Sequence, residues 1–251
     1  MKIYYVPGIN GLGKTRGVDE NEFLLKGFDY EKLNLSSENI KLQLSEIYSF
    51  FNKLGKKKFF ILGGDHSVTY PIFKSFFKKY GESTKLLVFD AHLDLMKPMA
   101  EPTHEEWLRA VLERDFNPKN ILIVGIRRES ENIDASEKKY ANKKNIKIIY
   151  SDEFEKKIGE ILDFVSAGKI YFSCDIDVFD SSIISCTGYP ETQGLFKKQI
   201  FKILEKIFRI GNILYFDLVE INLRKGSEKS KKNVYFILRK IIKLFNKSVG
   251  N

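Results

Sequence analysis

The sequence is poor in the residues that mark disulfide-rich and zinc-finger proteins, and it has no long apolar run. Its 251 residues include two cysteines, three histidines, one tryptophan and six prolines. Two cysteines make a disulfide framework unlikely, and no Cys-x-x-Cys pair is present. No apolar run approaches the roughly 18 residues that a membrane span needs, and the N-terminal one is too short for a signal peptide. We therefore expect a cytoplasmic protein with no membrane partner.

The charge balance is strongly basic. Lysine and arginine number 42 against 33 acidic residues, which gives a formal net charge of +9. Such an excess raises nucleic acid or an anionic surface as a partner. The lysines are dispersed along amphipathic segments, however, and no nucleic-acid-binding motif accompanies them. A solvated lysine-rich surface explains the charge, and we predict no nucleic-acid partner.

Short continuous apolar runs alternate with segments of helical periodicity along the chain. Such runs predict an α/β fold with a parallel sheet that is covered on both faces. No linker, composition break or repeat divides the chain, so we predict a single domain over residues 1–251. Strands are predicted at residues 2–7, 59–62, 86–89, 121–124, 146–150, 170–172 and 213–219, and helices at residues 38–54, 68–79, 104–114, 154–165, 196–208 and 234–245.

Acidic residues and histidines follow three of the predicted strands. The motifs are Gly-Gly-Asp-His-Ser at residues 63–67, Asp-Ala-His-Leu-Asp at residues 90–94 and Ser-Cys-Asp-Ile-Asp at residues 173–177. Ligands of parallel sheets bind beyond the carboxyl ends of the strands, and alternate residues of a strand share a face. We therefore expect the side chains to converge. The candidate metal ligands are His66, Asp90, His92, Asp94, Asp175 and Asp177.

Carboxylates with some imidazole favour Mn²⁺, with Zn²⁺, Ni²⁺ and Fe²⁺ as alternatives. Two metals about 3.5 Å apart would hold a bridging hydroxide as a nucleophile at neutral pH. Any one motif alone could be a hydrogen-bonded strand end or a core histidine. Several buried carboxylates without a cation would each cost several kcal/mol. The set as a whole therefore predicts a two-metal hydrolase.

These motifs resemble those of the ureohydrolase family, which includes arginase and agmatinase. Gly-Tyr-Pro-Glu at residues 188–191 and Asp-Leu-Val-Glu-Ile-Asn at residues 217–222 are similar to two further family segments, and all five occur in the family's order. The resemblance implies a three-layer α/β/α fold with a mostly parallel central sheet, and two Mn²⁺ per subunit. It also implies hydrolysis of a guanidino C–N bond with release of urea, in a homo-oligomer that is a trimer or hexamer.

The resemblance assigns roles to individual residues. Asp94 would orient the hydroxide and take its proton, and His104 would shuttle protons. Glu220 would hold the guanidinium by a charge-assisted bidentate contact. Glu191, with Glu220 and His104, would contact the substrate. One metal would be held by His66, Asp90, Asp94 and Asp175, and the other by His92, Asp90, Asp175 and Asp177.

The predicted substrate is agmatine, which would yield putrescine and urea. The loop between Asp94 and His104 is short, as the resemblance implies for agmatinases. The segment at residues 13–18 is closer to arginase, so arginine or another guanidino or formimino compound stays open. Glu105 and Tyr189 depart from the family pattern where the substrate should lie.

Two other functions are consistent with parts of the sequence. Cys186 is a further departure near the expected substrate, and the departures leave open a non-catalytic family member. Residues 8–15, from Gly8 to Thr15, match the phosphate-loop pattern and suggest a nucleotide-binding protein. Residues 16–21 are a poor helix start, and this alternative leaves the histidines and aspartates unexplained. We therefore rank it below a metallohydrolase.

Overall fold

The computed structural model describes residues 1–8, 15–35, 39–114 and 116–248. In these residues eight parallel strands form one sheet in the order β2-β1-β3-β8-β7-β4-β5-β6. The strands are β1 Lys2–Val6, β2 Tyr30–Lys32, β3 Phe59–Gly63, β4 Thr84–Phe89, β5 Ile121–Ile126, β6 Lys147–Tyr150, β7 Lys169–Asp175 and β8 Ile213–Val219. The helices are α1 Ile40–Lys53, α2 Thr69–Tyr80, α3 Trp107–Leu112, α4 Ala135–Lys144, α5 Ile158–Val165, α6 Lys197–Ile210 and α7 Glu228–Lys247.

Apolar side chains of the strands alternate between the two faces of the sheet. In β3, Phe60 and Leu62 pack with α5, α6 and α7, whereas Phe59 and Ile61 pack on the other face with α1 to α4. Both faces are thus buried, as parallel strands with continuous apolar runs require. The predicted three-layer fold with a parallel sheet is confirmed. Of the helices described, none is both long enough and apolar enough to cross a bilayer.

The structure contains two elements that the sequence patterns do not predict, β2 and α4. β2 has three residues, which is too short for an alternation to be recognised. α4 lacks an apolar stripe, and its sequence signal is the capping box formed by Asp134 and Glu137. The helix predicted at residues 104–114 is shorter, Trp107–Leu112, so His104 lies in the turn that precedes it.

The topology brings the ends of four strands together in the middle of the sheet. β3 leads through α2 to β4, and β8 and β7 lie between these two strands. The carboxyl ends of β3, β8, β7 and β4 therefore meet at one edge. Ligands bind at this edge in open parallel sheets, close to the point where the strand order changes direction.

Gly64 lies at this edge, against the backbone of another segment. Its carbonyl accepts a hydrogen bond from the N–H of Glu220 at 2.9 Å, and the N–H of Asp65 donates to the carbonyl of Gly8 at 3.3 Å. A Cβ atom at residue 64 would overlap the carbonyl oxygen of Gly8. Three segments of the chain thus meet where only glycine fits.

We expect Gly64→Ala to lower the free energy of unfolding by about 1–3 kcal/mol, because the new methyl group overpacks a site that is held by hydrogen bonds. Chemical denaturation measures the change. Gly159→Ala is the control, since it lies in α5 with nothing near its added Cβ and should stabilise the helix by about 0.5–1 kcal/mol. Wild-type stability of Gly64→Ala would contradict this packing.

Candidate functional site

The side chains that follow the four central strands converge in one buried place. The 3₁₀ turn His66–Val68 follows β3 and supplies the first histidine, and the turn Ile176–Val178 follows β7. All three histidines of the chain lie here. The site also contains the six candidate metal ligands, His66, Asp90, His92, Asp94, Asp175 and Asp177, all buried except His92, which is slightly more exposed.

These side chains do not meet through the alternation of a strand. β4 ends at Phe89, so Asp90 and the four residues after it lie in an irregular segment. Asp94 has a φ of 52°, a left-handed conformation that is uncommon outside glycine. The expectation that these residues share one strand face is therefore wrong. A turn in the backbone, and not the pleat of a strand, aims Asp94 at the cluster.

One ring nitrogen of His66 faces three carboxylates. Its Nδ1 lies 3.0 Å from Oδ2 of Asp94, 3.1 Å from Oδ2 of Asp90 and 3.4 Å from Oδ2 of Asp175. Burial lowers the pKa of His66, but these carboxylates, Asp175 foremost, raise it well above its ordinary value. Burial and the neighbouring charges raise the pKa of Asp90 to about 7 and that of Asp175 well above its usual range. A cation, either a proton or a metal ion, is needed between Nδ1 and the carboxylates.

The other nitrogen of His66 is held by a buried hydrogen-bond network. Nε2 lies 2.9 Å from Oγ of Ser173, and that hydroxyl donates to Oδ1 of Asp217 at 2.6 Å. Asp217 also accepts hydrogen bonds from Thr69 at 2.9 Å and Tyr171 at 2.5 Å. Because the proton of Ser173 is used on Asp217, its oxygen accepts from Nε2–H of His66. In the neutral imidazole, Nδ1 therefore offers its lone pair to the cluster, as a metal ligand must.

His92 has the same orientation on the outer side of the cluster. Its Nδ1 lies 2.9 Å from Oδ2 of Asp177 and 3.7 Å from Oδ1 of Asp90, and Nε2 lies 3.4 Å from Oε1 of Glu191. Glu191 also accepts a hydrogen bond from Ser130 at 2.8 Å. The contact with His92 lowers the pKa of Glu191 to about 2. Glu191, which the resemblance suggests as a substrate contact, lies here against His92 and orients its ring.

The ligating atoms form two groups that share Asp90. Atoms of His66, Asp90 and Asp175 all lie within 4.8 Å of one another, and so do atoms of Asp90, His92 and Asp177. In the part of the chain that the structure describes, Nδ1 of His66 and Oδ2 of Asp90 are buried without a hydrogen-bond partner. Imidazole nitrogen and carboxylate oxygen are ligands of Mn²⁺ and of related divalent metals. The donor set fits two divalent cations.

Two residues that support the cluster were not predicted. Nε1 of Trp107 donates to Oδ2 of Asp94 at 2.6 Å, and the indole ring lies 4.6 Å from the ring of His66. The buried guanidinium of Arg127 donates to the carbonyl of Asp177 at 2.7 Å, and to other carbonyls of the same turn. Each contact joins residues in two different segments of the chain, so no local sequence pattern predicts it.

A second acidic group adjoins the cluster. Atoms of Asp65, His104 and Glu220 lie within 4.8 Å of one another. Glu220 is buried, has a φ of 64° and accepts the backbone N–H of His66 at 2.8 Å. Burial and the charge of Asp65 raise the pKa of Glu220 well above its usual range. His104 is 6% exposed, and in the described ranges neither of its ring nitrogens has a hydrogen-bond partner.

A cavity of about 300 Å³ opens beside both groups. Its lining includes five carboxylates and, among the described residues, no lysine or arginine. Cys186, which the sequence places near the substrate, does not line this cavity, because it is buried beside Ser230 at the start of α7. The lining residues are His92, Asp94, Met96, His104, Glu105, Glu131, Asn132, Asp134, Glu137 and Tyr189.

Most of the candidate phosphate loop, residues 9–14, lies outside the described residues. The segment that follows Thr15 consists of turns and the 3₁₀ helices Val18–Glu20 and Glu22–Leu25, with Gly17 at a φ of 105°. A phosphate loop presents its ligand to the N-terminus of an α-helix. The turns after Thr15 therefore do not support a nucleotide site.

The fold and the cluster define an α/β protein with a candidate dinuclear metal centre at the carboxyl edge of its sheet. Residues 12–241 match the Arginase family model. The chain belongs to the arginase family.

Individual relatives agree with this family. The chain is 31% identical over 169 residues to the guanidino acid hydrolase of Homo sapiens, matching 64% of this chain and 47% of the relative. It is 31% identical over 167 residues to an agmatinase of Chromobacterium violaceum, matching 65% and 50% of the two chains. The chain thus spans about half the length of these curated relatives. A formiminoglutamase of Trypanosoma cruzi, solved with Mn²⁺, shares the fold with a TM-score of 0.84 and 15% identity over 98% of this chain and 92% of that one.

We expect Mn²⁺ to quench the emission of Trp107, because this only tryptophan of the chain contacts both His66 and Asp94. A chelator should restore the emission, and Mn²⁺ should also raise the melting temperature by binding the folded state. The Trp107→Phe variant controls for tyrosine emission. Unchanged emission at Mn²⁺ concentrations that raise the melting temperature would contradict a metal site beside Trp107.

The same titration should depend on pH. The pKa of Asp90 is raised to about 7, so below that pH a proton competes with the metal, and affinity falls as the pH is lowered. The pKa values of Asp175, His66 and His92 are raised well above their ordinary values, so the competition continues above pH 7. Glu160→Gln removes a surface carboxylate whose pKa Lys147 and Lys157 lower to about 2, and should leave this dependence unchanged. A pH-independent affinity would contradict the competition.

Proposed function

We propose that this protein is a dinuclear-metal hydrolase that cleaves a guanidino C–N bond and releases urea, and that its substrate is agmatine. The observation that carries the proposal is the environment of Glu220. Its carboxylate is buried beside Asp65 and the metal-ligand cluster, and it has no lysine or arginine partner in the described chain. A buried carboxylate of this kind calls for a cation.

A guanidinium group suits this position. Its planar fork can donate two parallel hydrogen bonds to one carboxylate. One carboxylate oxygen of Glu220 accepts a hydrogen bond from the N–H of His66, and His66 belongs to the cluster. A guanidinium held by Glu220 therefore lies next to the candidate metal ligands. The charge of Asp65 raises the pKa of Glu220, and the positive charge of a bound guanidinium would lower it.

The residues around this position can perform a hydrolysis. Two Mn²⁺, held by the six candidate ligands, would supply a water nucleophile acidified to neutral pH. Asp94 would take the proton of the attacking water, and the indole N–H of Trp107 keeps its carboxylate in place. His104, buried beside Glu220, would pass a proton to the leaving amine. Addition of water and loss of the amine give urea and, from agmatine, putrescine.

The charge of the cavity supports agmatine over arginine and guanidino acids. Arginine and guanidino acids carry a carboxylate at the end remote from the guanidinium, and the described lining offers five carboxylates and no lysine or arginine to meet it. Agmatine carries only an ammonium there, whereas arginine carries an ammonium together with its carboxylate. The names of the similar proteins indicate different substrates, so similarity does not decide between agmatine, arginine and guanidino acids.

Two further properties stay predictions from the sequence. A trimeric or hexameric state and a cytoplasmic location rest on the family resemblance and on composition. A non-catalytic member is the main competing function. The argument for it is that Glu105 and Tyr189 depart from the family pattern. Both lie in the cavity wall, however, and neither is a candidate metal ligand.

The test is urea release from agmatine, arginine, 4-guanidinobutyrate and formiminoglutamate, with Mn²⁺-loaded and chelated protein. We expect metal-dependent urea from agmatine above all, because only agmatine brings a second cation to the acidic cavity without a carboxylate beside it. Formiminoglutamate would give formamide and not urea, so ammonia and formamide are measured in parallel. Absence of turnover on every compound by protein that binds Mn²⁺ would reject the proposed activity.

We expect Asp94→Asn to lower kcat by about 10²- to 10⁴-fold, because the amide cannot accept the proton of water. Asp163→Asn in α5 removes a carboxylate away from the site and should have wild-type activity. Trp107 emission shows whether each variant still binds Mn²⁺. Near-normal kcat in metal-loaded Asp94→Asn would reject this role for Asp94.

A further inference from the structure

We propose that Glu105, supported by Tyr189 and assisted by Glu131, is the specificity-determining group for the far end of the substrate. It would select guanidino compounds that end in an ammonium over those that end in a methyl or carboxylate group. The inference rests on the proposed function, and it assigns the binding of the substrate's ammonium end to a distinct part of the same cavity. It also gives a role to two residues in which this chain departs from the family pattern.

Glu105 lines the cavity directly beside the candidate proton shuttle His104. It follows His104 directly, and consecutive Cα atoms are about 3.8 Å apart. The N–H of Met96 donates to the carbonyl of Glu105 at 3.0 Å, which ties the two ends of the loop after Asp94 together. The side chain is 40% exposed, and its Oε1 lies 3.7 Å from Nε2 of the buried His104.

Tyr189 donates a hydrogen bond to Glu105 and packs near both histidines of the cavity. Its hydroxyl donates to Oε1 of Glu105 at 3.4 Å, and its ring lies 6.0 Å from that of His104 and 5.9 Å from that of His92. Burial, followed by the charge of Glu105, raises the pKa of Tyr189, so the hydroxyl remains a donor. Tyr189 therefore spans from the cluster to Glu105, and the two residues form one wall.

The other carboxylates of the wall differ in how far they are already engaged. Glu137 accepts the N–H groups of Leu95 at 2.8 Å and of Asp134 at 2.9 Å, and Asp134 accepts from Ser136 at 2.7 Å. Both serve the capping box of α4 and the loop against it. Glu131 is exposed and lines the cavity. Glu105 and Glu131 are thus the two that remain to meet a ligand.

Two observations besides the acidic lining indicate a ligand in this cavity. His104 is buried and lines it, with neither ring nitrogen hydrogen-bonded in the described residues. Glu220 lies within 4.8 Å of His104 and would bind one cationic end. A dication with a short spacer would then place its second charge beside Glu105. This acidic wall occurs in a chain of net charge +9, so it does not follow from overall composition.

The test compares three compounds with the same guanidino group and four-carbon length: agmatine, n-butylguanidine and 4-guanidinobutyrate. Wild-type protein should have the highest kcat/KM on agmatine and the lowest on 4-guanidinobutyrate. We expect Glu105→Gln to lower kcat/KM on agmatine about tenfold, mostly through KM, and to leave n-butylguanidine within about twofold. Glu105→Lys should narrow the gap between agmatine and 4-guanidinobutyrate further.

Glu101→Gln is the matched control, because it removes the same charge from the same loop but does not line the cavity. Equal efficiency of wild type on agmatine and n-butylguanidine would overturn the inference while leaving the hydrolase in place. An equal loss on both compounds in Glu105→Gln would also overturn it. Absence of turnover on all three compounds would instead reject the proposed function.

If turnover is absent, binding still tests the inference. Mn²⁺-loaded wild type should gain more thermal stability from agmatine than from n-butylguanidine at equal concentration, and Glu105→Gln should lose that difference. Equal stabilisation of both proteins by both compounds would overturn the role of Glu105. A second Mn²⁺-dependent shift that Glu105→Gln abolishes, without any effect of agmatine, would also overturn it and assign the carboxylates to metal.

Discussion

The whole arrangement depends on the burial of several like charges in one place. Four aspartates surround two imidazoles at the centre of the sheet edge, and burial together with the neighbouring carboxylates raises the pKa of Asp90 and of Asp175. Without a metal ion, this cluster needs protons to offset its carboxylates, and the pKa values of His66 and His92 are raised well above their ordinary values by these carboxylates. A divalent metal ion meets the same need with two charges. The candidate ligands therefore suit an exchange of protons for metal.

The surrounding structure keeps these charges from separating. The candidate ligands follow β3, β4 and β7, three of the four central strands, so the sheet brings them to one edge. Beneath the cluster, Asp217 binds three hydroxyl groups and thereby sets the tautomer of His66. Arg127 holds the turn that carries Asp177 through its carbonyls. Each support uses a buried polar group with its hydrogen bonds made, as rigid polar networks require.

Much of the site is predictable from the sequence because each motif comes directly after an apolar run. A run that ends in Gly-Gly-Asp-His, or in Asp-Ala-His, shows where a parallel strand ends, and such ends share one edge. The supports are not predictable in this way. Ser173 and Asp217 meet because β7 pairs with β8 in the register that places these two residues side by side. The residues next to them in the sequence do not reveal this pairing. Likewise, the sequence does not predict the left-handed φ of Asp94, because this residue is not a glycine.

The departures from the family pattern are informative because of where they lie. Glu105 and Tyr189 contact each other in the cavity wall, whereas Cys186 packs away from it. Substitutions that merely accompany a lost activity have no physical reason to form a new donor–acceptor pair beside an intact cluster. A new carboxylate in an already acidic cavity also adds repulsion, which a bound cation relieves. The altered residues therefore favour a changed preference for the substrate's remote end over a loss of catalysis.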